Sequence, residues 1–280
     1  MPTVKGLLQE ATEKITDSDT ARLDAEVLLS HVLDRNRAWL YTWPDKVLAP
    51  EVSNKYRGLV ERRIAGEPVA HLTGLREFWG LELACDNSTL IPRPETELLV
   101  EQALQLTLPD RAQVLDLGTG TGAIALALAK ERPKWQLRGT DSSAGAISLA
   151  RANAKKLGVR NVKWFKGDWF QPLDADVRFD LILSNPPYIP QEDSCLEEGD
   201  VRFEPRSALV SGEDGLDAIR RLVAGAGHWL NPKSWILLEH GYDQASEVRE
   251  ILASHGFNSI TCFEDLAGHK RATLARWVSA

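Results

Sequence analysis

Strand and helix patterns alternate along most of this chain, from Glu95 to its end. The predicted strands are Val114–Leu117, Gln136–Thr140, Val162–Lys166, Phe179–Leu183 and Trp235–Leu238, and helical patterns separate most of them. Strands that alternate with helices form a parallel sheet with right-handed crossovers. Two final strand patterns, near Ile260–Phe263 and Thr273–Val278, have no helix between them, which predicts an antiparallel pair at the edge of the sheet.

The residues before this region follow a different pattern. Apolar residues recur there at helical spacing, with Pro50 near one helix start and Gly66 and Pro68 as stop signals. The following stretch is β-like, with Gly80 at a turn. We therefore expect a small helical bundle over residues 1–72, a β-hairpin linker over residues 73–92 and an α/β domain over residues 93–280.

Composition excludes several classes of protein. The chain has 280 residues, 43% of them hydrophobic and 26% charged, as in soluble globular proteins. No apolar run approaches the ~20 residues of a membrane helix, and no secretory signal is evident. Cys85, Cys195 and Cys262 fit neither a disulfide framework nor a zinc site. We expect a cytoplasmic protein that binds no metal.

The charge distribution bears on nucleic acid as a partner. Residues 1–80 hold 11 Lys/Arg and 12 Asp/Glu, which leaves −6 of the total net charge of −7 for the remainder. A protein that binds nucleic acid usually has a basic domain or stripe. The sequence therefore disfavours a duplex DNA substrate, although a local patch such as Arg62-Arg63 stays open.

The residues Asn185-Pro186-Pro187-Tyr188 directly follow the predicted strand Phe179–Leu183. Two successive prolines cannot continue a strand, because both nitrogens lack a hydrogen and both φ angles are fixed. We expect a stiff, extended turn in which the Asn185 side-chain oxygen and the Pro186 carbonyl each accept one N–H of a planar nitrogen substrate. Tyr188 would stack on the plane of that substrate. The alternative is a simple turn between strand and loop.

This pair of acceptors suits a weakly nucleophilic nitrogen. The lone pair of an amide or aniline-like nitrogen is conjugated, so acceptors out of its plane favour a tetrahedral arrangement that frees the lone pair for attack. The contributions to catalysis are orientation and stabilisation of positive charge that develops on nitrogen, without a strong base.

A glycine-rich loop, Asp116–Gly122, lies between the first predicted strand and its helix. Its glycines allow a tight turn and the close approach of a ligand to backbone N–H groups at a helix N-terminus. The loop also satisfies the dinucleotide-binding fingerprint, with Gly118, Gly120 and Ala123 at the small positions. The loop alone therefore does not identify its ligand.

The ends of the following strands narrow the choice of ligand. Asp141 ends the second strand, where an acid accepts from ribose hydroxyls, and Asp168-Trp169 ends the third. These ends and Asn185 meet at one edge of a parallel sheet, which indicates an adenosine-containing ligand. The alternatives are a helix N-cap role for Asp141 and core packing for Trp169.

These features resemble class I S-adenosylmethionine-dependent methyltransferases of the amino-methylating kind. Four further segments are similar to the HemK/PrmC family of bacterial protein-(glutamine) methyltransferases that modify peptide chain release factors. The segments are Ile91–Glu97, Gly167–Phe170, Val201–Pro205 with Ala208-Leu209, and Leu238–Gly241. The resemblance spans nearly the whole chain and implies a Rossmann-like, mostly parallel seven-stranded sheet with an antiparallel edge, after a helical bundle and a hairpin.

The resemblance also implies a reaction, in which S-adenosylmethionine methylates the glutamine side-chain amide of the Gly-Gly-Gln motif in class I release factors. The residues that it places against S-adenosylmethionine are Gly118, Thr119, Gly120, Thr121, Gly122, Asp141, Trp169 and Asn185. Asn185, Pro186 and Tyr188 are the implied catalytic residues, which with Pro187 bind the glutamine amide. The helical domain would dock the release factor.

The resemblance says less about the entrance to the site. Arg93 and Glu95 are expected to line it, and Phe203-Glu204-Pro205 to order it. For Arg93 an interdomain salt bridge is an equal alternative.

Two other functions remain open at this point. An exocyclic-amine methyltransferase acting on DNA or RNA would share the Asn-Pro-Pro-Tyr turn. A dinucleotide-dependent oxidoreductase would share the glycine-rich loop, but it would leave Asn185–Tyr188 unexplained.

Overall fold

The computed structural model describes residues 2–278. Tertiary contacts divide the chain into two units. The first unit comprises the residues up to Leu75 together with Glu197–Phe203, and the second comprises Arg76–Leu196 and the residues from Glu204 onward. The contacts of the hairpin thus group it with the second unit. The boundaries that we drew at residues 72 and 92 stay a prediction.

The first unit is helical. Its helices are α1 (Val4–Lys14), α2 (Ala21–Leu33), α3 (Arg37–Thr42), α4 (Pro50–Ile64) and α5 (Val69–Thr73). Local sequence sets their ends: the Thr3 hydroxyl accepts the Gly6 N–H at 3.1 Å, and Pro50 is the first residue of α4. Fully buried side chains such as Leu7, Leu28 and Tyr56 form a core among these helices. No helix within residues 2–278 is both long and apolar enough to cross a membrane.

A two-stranded hairpin follows, formed by β1 (Leu75–Phe78) and β2 (Leu81–Ala84). Trp79 and Gly80 connect the strands, with φ angles of +53° and +68°. Positive φ at both central residues is typical of the two-residue hairpin turn that matches the twist of the strands. The predicted turn at Gly80 is confirmed.

The remaining elements alternate as the sequence predicts. After a 3₁₀ turn at Pro94–Thr96 they are α6 (Glu97–Gln105), β3 (Gln113–Leu117), α7 (Ala123–Glu131), β4 (Gln136–Asp141), α8 (Ala144–Leu157), β5 (Val162–Lys166), β6 (Phe179–Ser184), α9 (Asp217–Trp229), β7 (Leu230–Glu239), α10 (Ala245–Ser254), β8 (Phe257–Glu264) and β9 (Lys270–Trp277). Strand β7 begins five residues before the predicted Trp235. It includes Pro232, which lies where its pairing with β6 shifts register.

Seven strands form one sheet in the order β5-β4-β3-β6-β7-β9-β8. The first five are parallel, and β9 lies antiparallel between β7 and β8. The predicted fold class is therefore confirmed: a Rossmann-like, mostly parallel seven-stranded sheet with an antiparallel edge, together with a helical N-terminal region and a hairpin.

Helices cover both faces of this sheet. Successive residues of β3 point to opposite faces, so Val114 packs with α6 and α7 while Leu115 packs with α9 and α10. Burial on both faces explains why the central strands are almost continuously apolar. The polar side chains of the predicted site follow the carboxyl ends of β3, β4, β5 and β6. In a parallel sheet these four ends lie at one edge.

Candidate active site

A cavity opens at the carboxyl ends of these four strands. Of the residues predicted to form a site, Gly118, Thr119, Gly120, Thr121, Asp141, Trp169, Asn185 and Pro187 line it. Gly122, Pro186 and Tyr188 do not line it, although they are neighbours in sequence of residues that do. The structure thus brings the ends of all four strands to one space.

The glycine-rich loop gives this cavity a close-fitting wall. Gly118, Gly120 and Gly122 have φ angles of +71°, +54° and +84°, a region that L-residues rarely adopt. A Cβ atom on Gly118 would lie 3.4 Å from the Trp169 ring, and one on Gly122 would lie 2.9 Å from the Trp164 ring. Backbone conformation therefore favours glycine at all three positions, and lack of space also requires it at Gly122.

Most N–H groups of this loop are already bonded within the protein. Gly118 and Thr119 donate to the Thr140 carbonyl at 2.9 and 3.0 Å, and Gly122 donates to the Thr119 carbonyl at 2.8 Å. The expectation that a ligand approaches the N–H groups at the N-terminus of α7 stays a prediction. The loop allows close approach to its backbone and to the first turn of α7, where Ala123 and Ile124 line the cavity.

Asp141 joins the loop to β4. Its Oδ2 accepts the Gly120 N–H at 2.9 Å, and its Oδ1 accepts the Ser143 N–H at 2.8 Å. Burial raises the pKa of Asp141, although the two N–H donors oppose that change. The N-cap of α8 is Ser143, whose hydroxyl accepts the Ala146 N–H, so the capping alternative for Asp141 is wrong. A carboxylate has about four lone-pair positions, and Asp141 keeps capacity for a ligand hydroxyl.

A second carboxyl group lies under the same loop. Asp116 is fully buried, and the Thr119 hydroxyl donates to its Oδ2 at 2.5 Å. Burial raises the pKa of Asp116 to about 7, while the Thr119 hydrogen bond opposes that shift. Because Asp116 does not line the cavity, we assign it to the support of the loop.

Trp169 forms another part of the wall. Its φ of +49° is unusual for a bulky residue and turns the chain sharply at the end of β5. Its ring lies beside Gly118 in the cavity wall, so core packing alone does not describe the position of Trp169. The neighbouring Asp168 forms an ion pair with Arg221 on the protein surface.

The Asn185 side chain is held in one orientation. Its Nδ2 donates to the Thr96 hydroxyl oxygen at 3.0 Å, an orientation assigned from the hydrogen bond. Oδ1 then remains as the acceptor, and no residue within 2–278 donates to it. The Pro186 carbonyl likewise accepts no hydrogen bond from the described residues. Two adjacent residues therefore each keep an acceptor that no described residue uses, and of the two Asn185 lines the cavity.

Tyr188 is held at both its ends. Its hydroxyl lies 3.3 Å from Glu239 Oε1, and its backbone carbonyl accepts from Gln244 Nε2 at 3.0 Å. Burial raises the pKa of Tyr188, so the phenol stays protonated. The chain then pairs with a neighbouring segment through Ile189 and Val210. These contacts hold the Asn185–Tyr188 turn in place.

Arg93 is part of the cavity wall, and the buried Glu204 holds it in place. Arg93 lines the cavity and forms an ion pair with Glu204, whose Oε1 also accepts the Ile91 N–H at 2.8 Å. Both residues belong to the second unit, so the interdomain alternative for Arg93 is wrong. Glu95 and Phe203 do not line the cavity, whereas Pro205 does.

Several residues of the site were missed by sequence reasoning. Thr96, Thr89, Phe78, Ser143 and Ala146 also line the cavity. Only the run Ile91–Glu97 gave a signal for one of them, Thr96. Glu239, which contacts the Tyr188 hydroxyl, lies in the run Leu238–Gly241 that carries part of the family resemblance, but no role was predicted for it. Within residues 2–278, no group of three or more His, Cys, Asp or Glu side chains is arranged to hold a metal ion.

Comparison with known families gives two matches. Residues 6–74 match the model of the PrmC N-terminal domain, and residues 94–198 match that of the methyltransferase small domain.

Among curated relatives, the release factor glutamine methyltransferase of Pseudomonas aeruginosa is 49% identical and covers 99% of both chains. That of Vibrio cholerae is 50% identical and covers 98% of this chain and 97% of its own.

Solved structures share the fold at lower identity. A Pyrococcus furiosus methyltransferase superposes with a TM-score of 0.56 at 16% identity, over 78% of this chain and 98% of its own. A T. thermophilus 16S rRNA methyltransferase, solved with AdoMet and guanosine, has a TM-score of 0.52 at 21% identity, over 72% of this chain and 49% of its own. These likenesses support the methyltransferase fold.

Proposed function

This chain belongs to the release factor glutamine methyltransferases, and we propose that it methylates the side-chain amide nitrogen of the glutamine in the Gly-Gly-Gln motif of class I peptide chain release factors. The observation that carries this proposal is the orientation of Asn185. Because its Nδ2 is bonded to Thr96, its Oδ1 is left as an acceptor on a residue that lines the cavity, and the next residue, Pro186, has a carbonyl that accepts no hydrogen bond from the described residues. A primary amide has two N–H donors, which match these two acceptors.

The cavity suits S-adenosylmethionine as the methyl donor. The glycines of the positive-φ loop let a ligand lie close to the backbone, since no Cβ atom stands there. Asp141 provides a carboxylate for ribose hydroxyls, and the Trp169 ring provides an aromatic surface. We propose that Gly118, Thr119, Gly120, Thr121, Gly122, Asp141, Trp169 and Asn185 hold this molecule. When bound, it supplies an electrophilic methyl group on a sulfonium.

The protein's own part in the reaction is to orient the amide. Asn185 Oδ1 and the Pro186 carbonyl accept its two hydrogens, Pro187 stiffens the turn, and the Tyr188 ring limits movement of the amide plane. These acceptors also stabilise the positive charge that develops on nitrogen. The catalytic residues in this proposal are Asn185, Pro186 and Tyr188.

The same proposal names a partner and a compartment. The helical residues 1–72 would dock the body of the release factor, with residues 73–92 as a linker and 93–280 as the catalytic domain. The net charge of −7 supports a protein partner over direct binding of nucleic acid, since phosphate contacts need clustered basic residues. Translation termination takes place in the cytoplasm, where we therefore place the enzyme.

The test is transfer of a labelled methyl group from S-adenosylmethionine to a purified class I release factor. Parallel reactions contain the same factor with its Gly-Gly-Gln glutamine replaced by alanine, or duplex DNA. We expect label on the intact factor alone. Label on DNA, or equal label on the alanine variant, would overturn the assigned substrate.

A further inference from the structure

One buried side-chain amide, that of Gln244, connects the Asn185–Tyr188 turn to two other segments of the chain. Its Nε2 donates to the Tyr188 carbonyl at 3.0 Å and to the Asp214 carbonyl at 3.2 Å, and its Oε1 accepts the Gly241 N–H at 2.8 Å. The residue is 8% exposed, and both of its N–H donors and its oxygen are used. Rotating the amide by 180° would set its oxygen against two carbonyls, so the three partners fix its orientation.

The position of Gln244 at a helix start does not explain these contacts. Gln244 is the N-cap of α10, where a polar side chain commonly bonds the first turn of the helix. Its side chain makes no capping hydrogen bond. The amide bonds the end of the Asn185–Tyr188 turn instead, which suggests a role for it in the site.

The loop before α9 approaches the same carbonyl group closely. Gly215 has a φ of +78°, and a Cβ atom on it would lie 2.2 Å from the Tyr188 carbonyl oxygen and 2.7 Å from Gln244 Nε2. A residue with a side chain therefore does not fit at this position without displacing the contact. Gln244 and Gly215 together determine where the Tyr188 carbonyl lies.

Two prolines couple this carbonyl to the reacting end of the turn. Pro186 and Pro187 have fixed φ angles, so few torsion angles between Tyr188 and Asn185 can absorb a displacement. Asn185 Oδ1 and the Pro186 carbonyl are the acceptors that the proposed function assigns to the substrate amide. Their placement matters for the rate, because a misplacement of ~1 Å can cost about 10²-fold.

We infer that Gln244 is a positioning residue for methyl transfer: by holding the Tyr188 carbonyl, its side-chain amide keeps the Asn185–Tyr188 turn in the geometry that the substrate amide requires. The inference rests on the proposed function, because it concerns the same turn. Gln244 does not line the cavity, so it acts through Tyr188.

Two substitutions at Gln244 remove the contact in different ways. Gln244→Glu keeps the shape and the acceptor for the Gly241 N–H, but an ionised carboxylate has no hydrogen for the Tyr188 carbonyl. Gln244→Met keeps a similar volume and removes all three bonds. For both variants we expect kcat for the release factor to fall by roughly 10–100-fold. KM for the factor and Kd for S-adenosylmethionine should change by less than about threefold, because the change affects orientation rather than binding.

Two glycines of the loop before α9 provide a matched control. Gly212 and Gly215 have φ angles of +77° and +78°, so alanine strains the backbone equally at both positions. A Cβ atom on Gly212 would meet the Asp217 carboxyl group, whose side chain is exposed and can move. Gly215→Ala should therefore lower kcat as the Gln244 variants do, whereas Gly212→Ala should leave kcat near that of the wild type.

A spectroscopic measurement reports the contact independently of turnover. The chain has four tyrosines, so labelling tyrosine with ¹³C at its carbonyl gives four signals, and Tyr188→Phe identifies that of Tyr188. We expect this signal to shift in Gln244→Met and Gly215→Ala and to keep its position in Gly212→Ala. Thermal unfolding of each variant checks that it is folded at the temperature of the assay.

A folded Gln244→Met variant with the kcat of the wild type would overturn the inference. So would a loss of kcat matched by an equal loss of S-adenosylmethionine affinity, or a Tyr188 carbonyl signal that does not move. Failure of the wild-type protein to methylate the factor would instead overturn the proposed function, and the carbonyl signals would still show whether Gln244 holds the turn.

Discussion

At the scale of residues, the site depends on a few side chains that other residues hold in place. Asn185 presents an oxygen because Thr96 takes its nitrogen, and Tyr188 is anchored through Glu239. Asp141 spans from β4 to the loop through two N–H bonds. Substituting each group should therefore affect a different measurable step.

Asn185→Ala should lower kcat by about 10²–10³, the scale for loss of one preorganised polar contact. The remaining Pro186 carbonyl can hold only one of the two amide hydrogens. Steady-state methylation of the release factor measures the effect, and thermal unfolding checks that the variant is folded. Turnover near that of the wild type would exclude this role for the Asn185 amide.

Asp141→Ala should weaken S-adenosylmethionine binding by about tenfold or more, equivalent to the ~1.4 kcal/mol of one charge-assisted hydrogen bond. Isothermal titration calorimetry gives the affinity directly. The variant also loses the bonds to Gly120 and Ser143, so its unfolding temperature should fall. An unchanged affinity with a lowered unfolding temperature would restrict Asp141 to support of the loop.

At the scale of elements, the site depends on how each strand ends. β3 is followed by a loop of positive-φ glycines, β5 by a turn that contains the positive-φ Trp169, and β6 by Asn185 and two prolines. All three endings stop the ladder abruptly and turn the chain, which leaves space at the edge of the sheet. The glycine-rich loop after β3 also allows α7 to pack closely on the sheet.

Alanine substitutions at two glycines distinguish the free-energy cost of an unfavourable backbone conformation from the cost of crowding. Gly122 and Gly158 have φ angles of +84° and +69°, but only Gly122 is crowded, with its would-be Cβ 2.9 Å from the Trp164 ring. Gly158→Ala should cost about 1–2 kcal/mol of unfolding free energy through conformation alone. Gly122→Ala should cost more, since the neighbours must also move. Chemical denaturation of both variants gives the two free energies, and equal losses would contradict the packing argument.

Sequence reasoning predicted the elements better than their arrangement. The strand Val162–Lys166 was predicted to the residue, because turns bound it. The position of β9 between β7 and β8 could not be predicted, because pairing depends on contacts far apart in sequence. Thr96 and Asn185 are 89 residues apart, so no local pattern could reveal their hydrogen bond.

At the scale of the whole molecule, the fold and the site agree on one class of chemistry. The sheet order, the cavity at the strand ends and the turn after β6 fit a methyltransferase. A dinucleotide-dependent oxidoreductase shares the loop but gives no role to the two free acceptors. The two functions differ in the ligand that the native protein binds.

S-adenosylmethionine should raise the unfolding temperature of the protein, and NAD should not. A ligand that binds only the native state stabilises it by about 2.7 kcal/mol at a hundred times its Kd. Thermal scans with each ligand, with Asp141→Ala as the control for binding in this cavity, make the comparison. Stabilisation by NAD alone would favour the oxidoreductase.

The most direct test of the account is to locate the methyl group on the product. After reaction of the wild-type protein with a class I release factor, tandem mass spectrometry of the digested factor identifies the modified residue, and NMR of the modified peptide identifies the atom. The account predicts one methyl group on the side-chain amide nitrogen of the Gly-Gly-Gln glutamine. A methyl group on another residue, or on an oxygen atom, would contradict it.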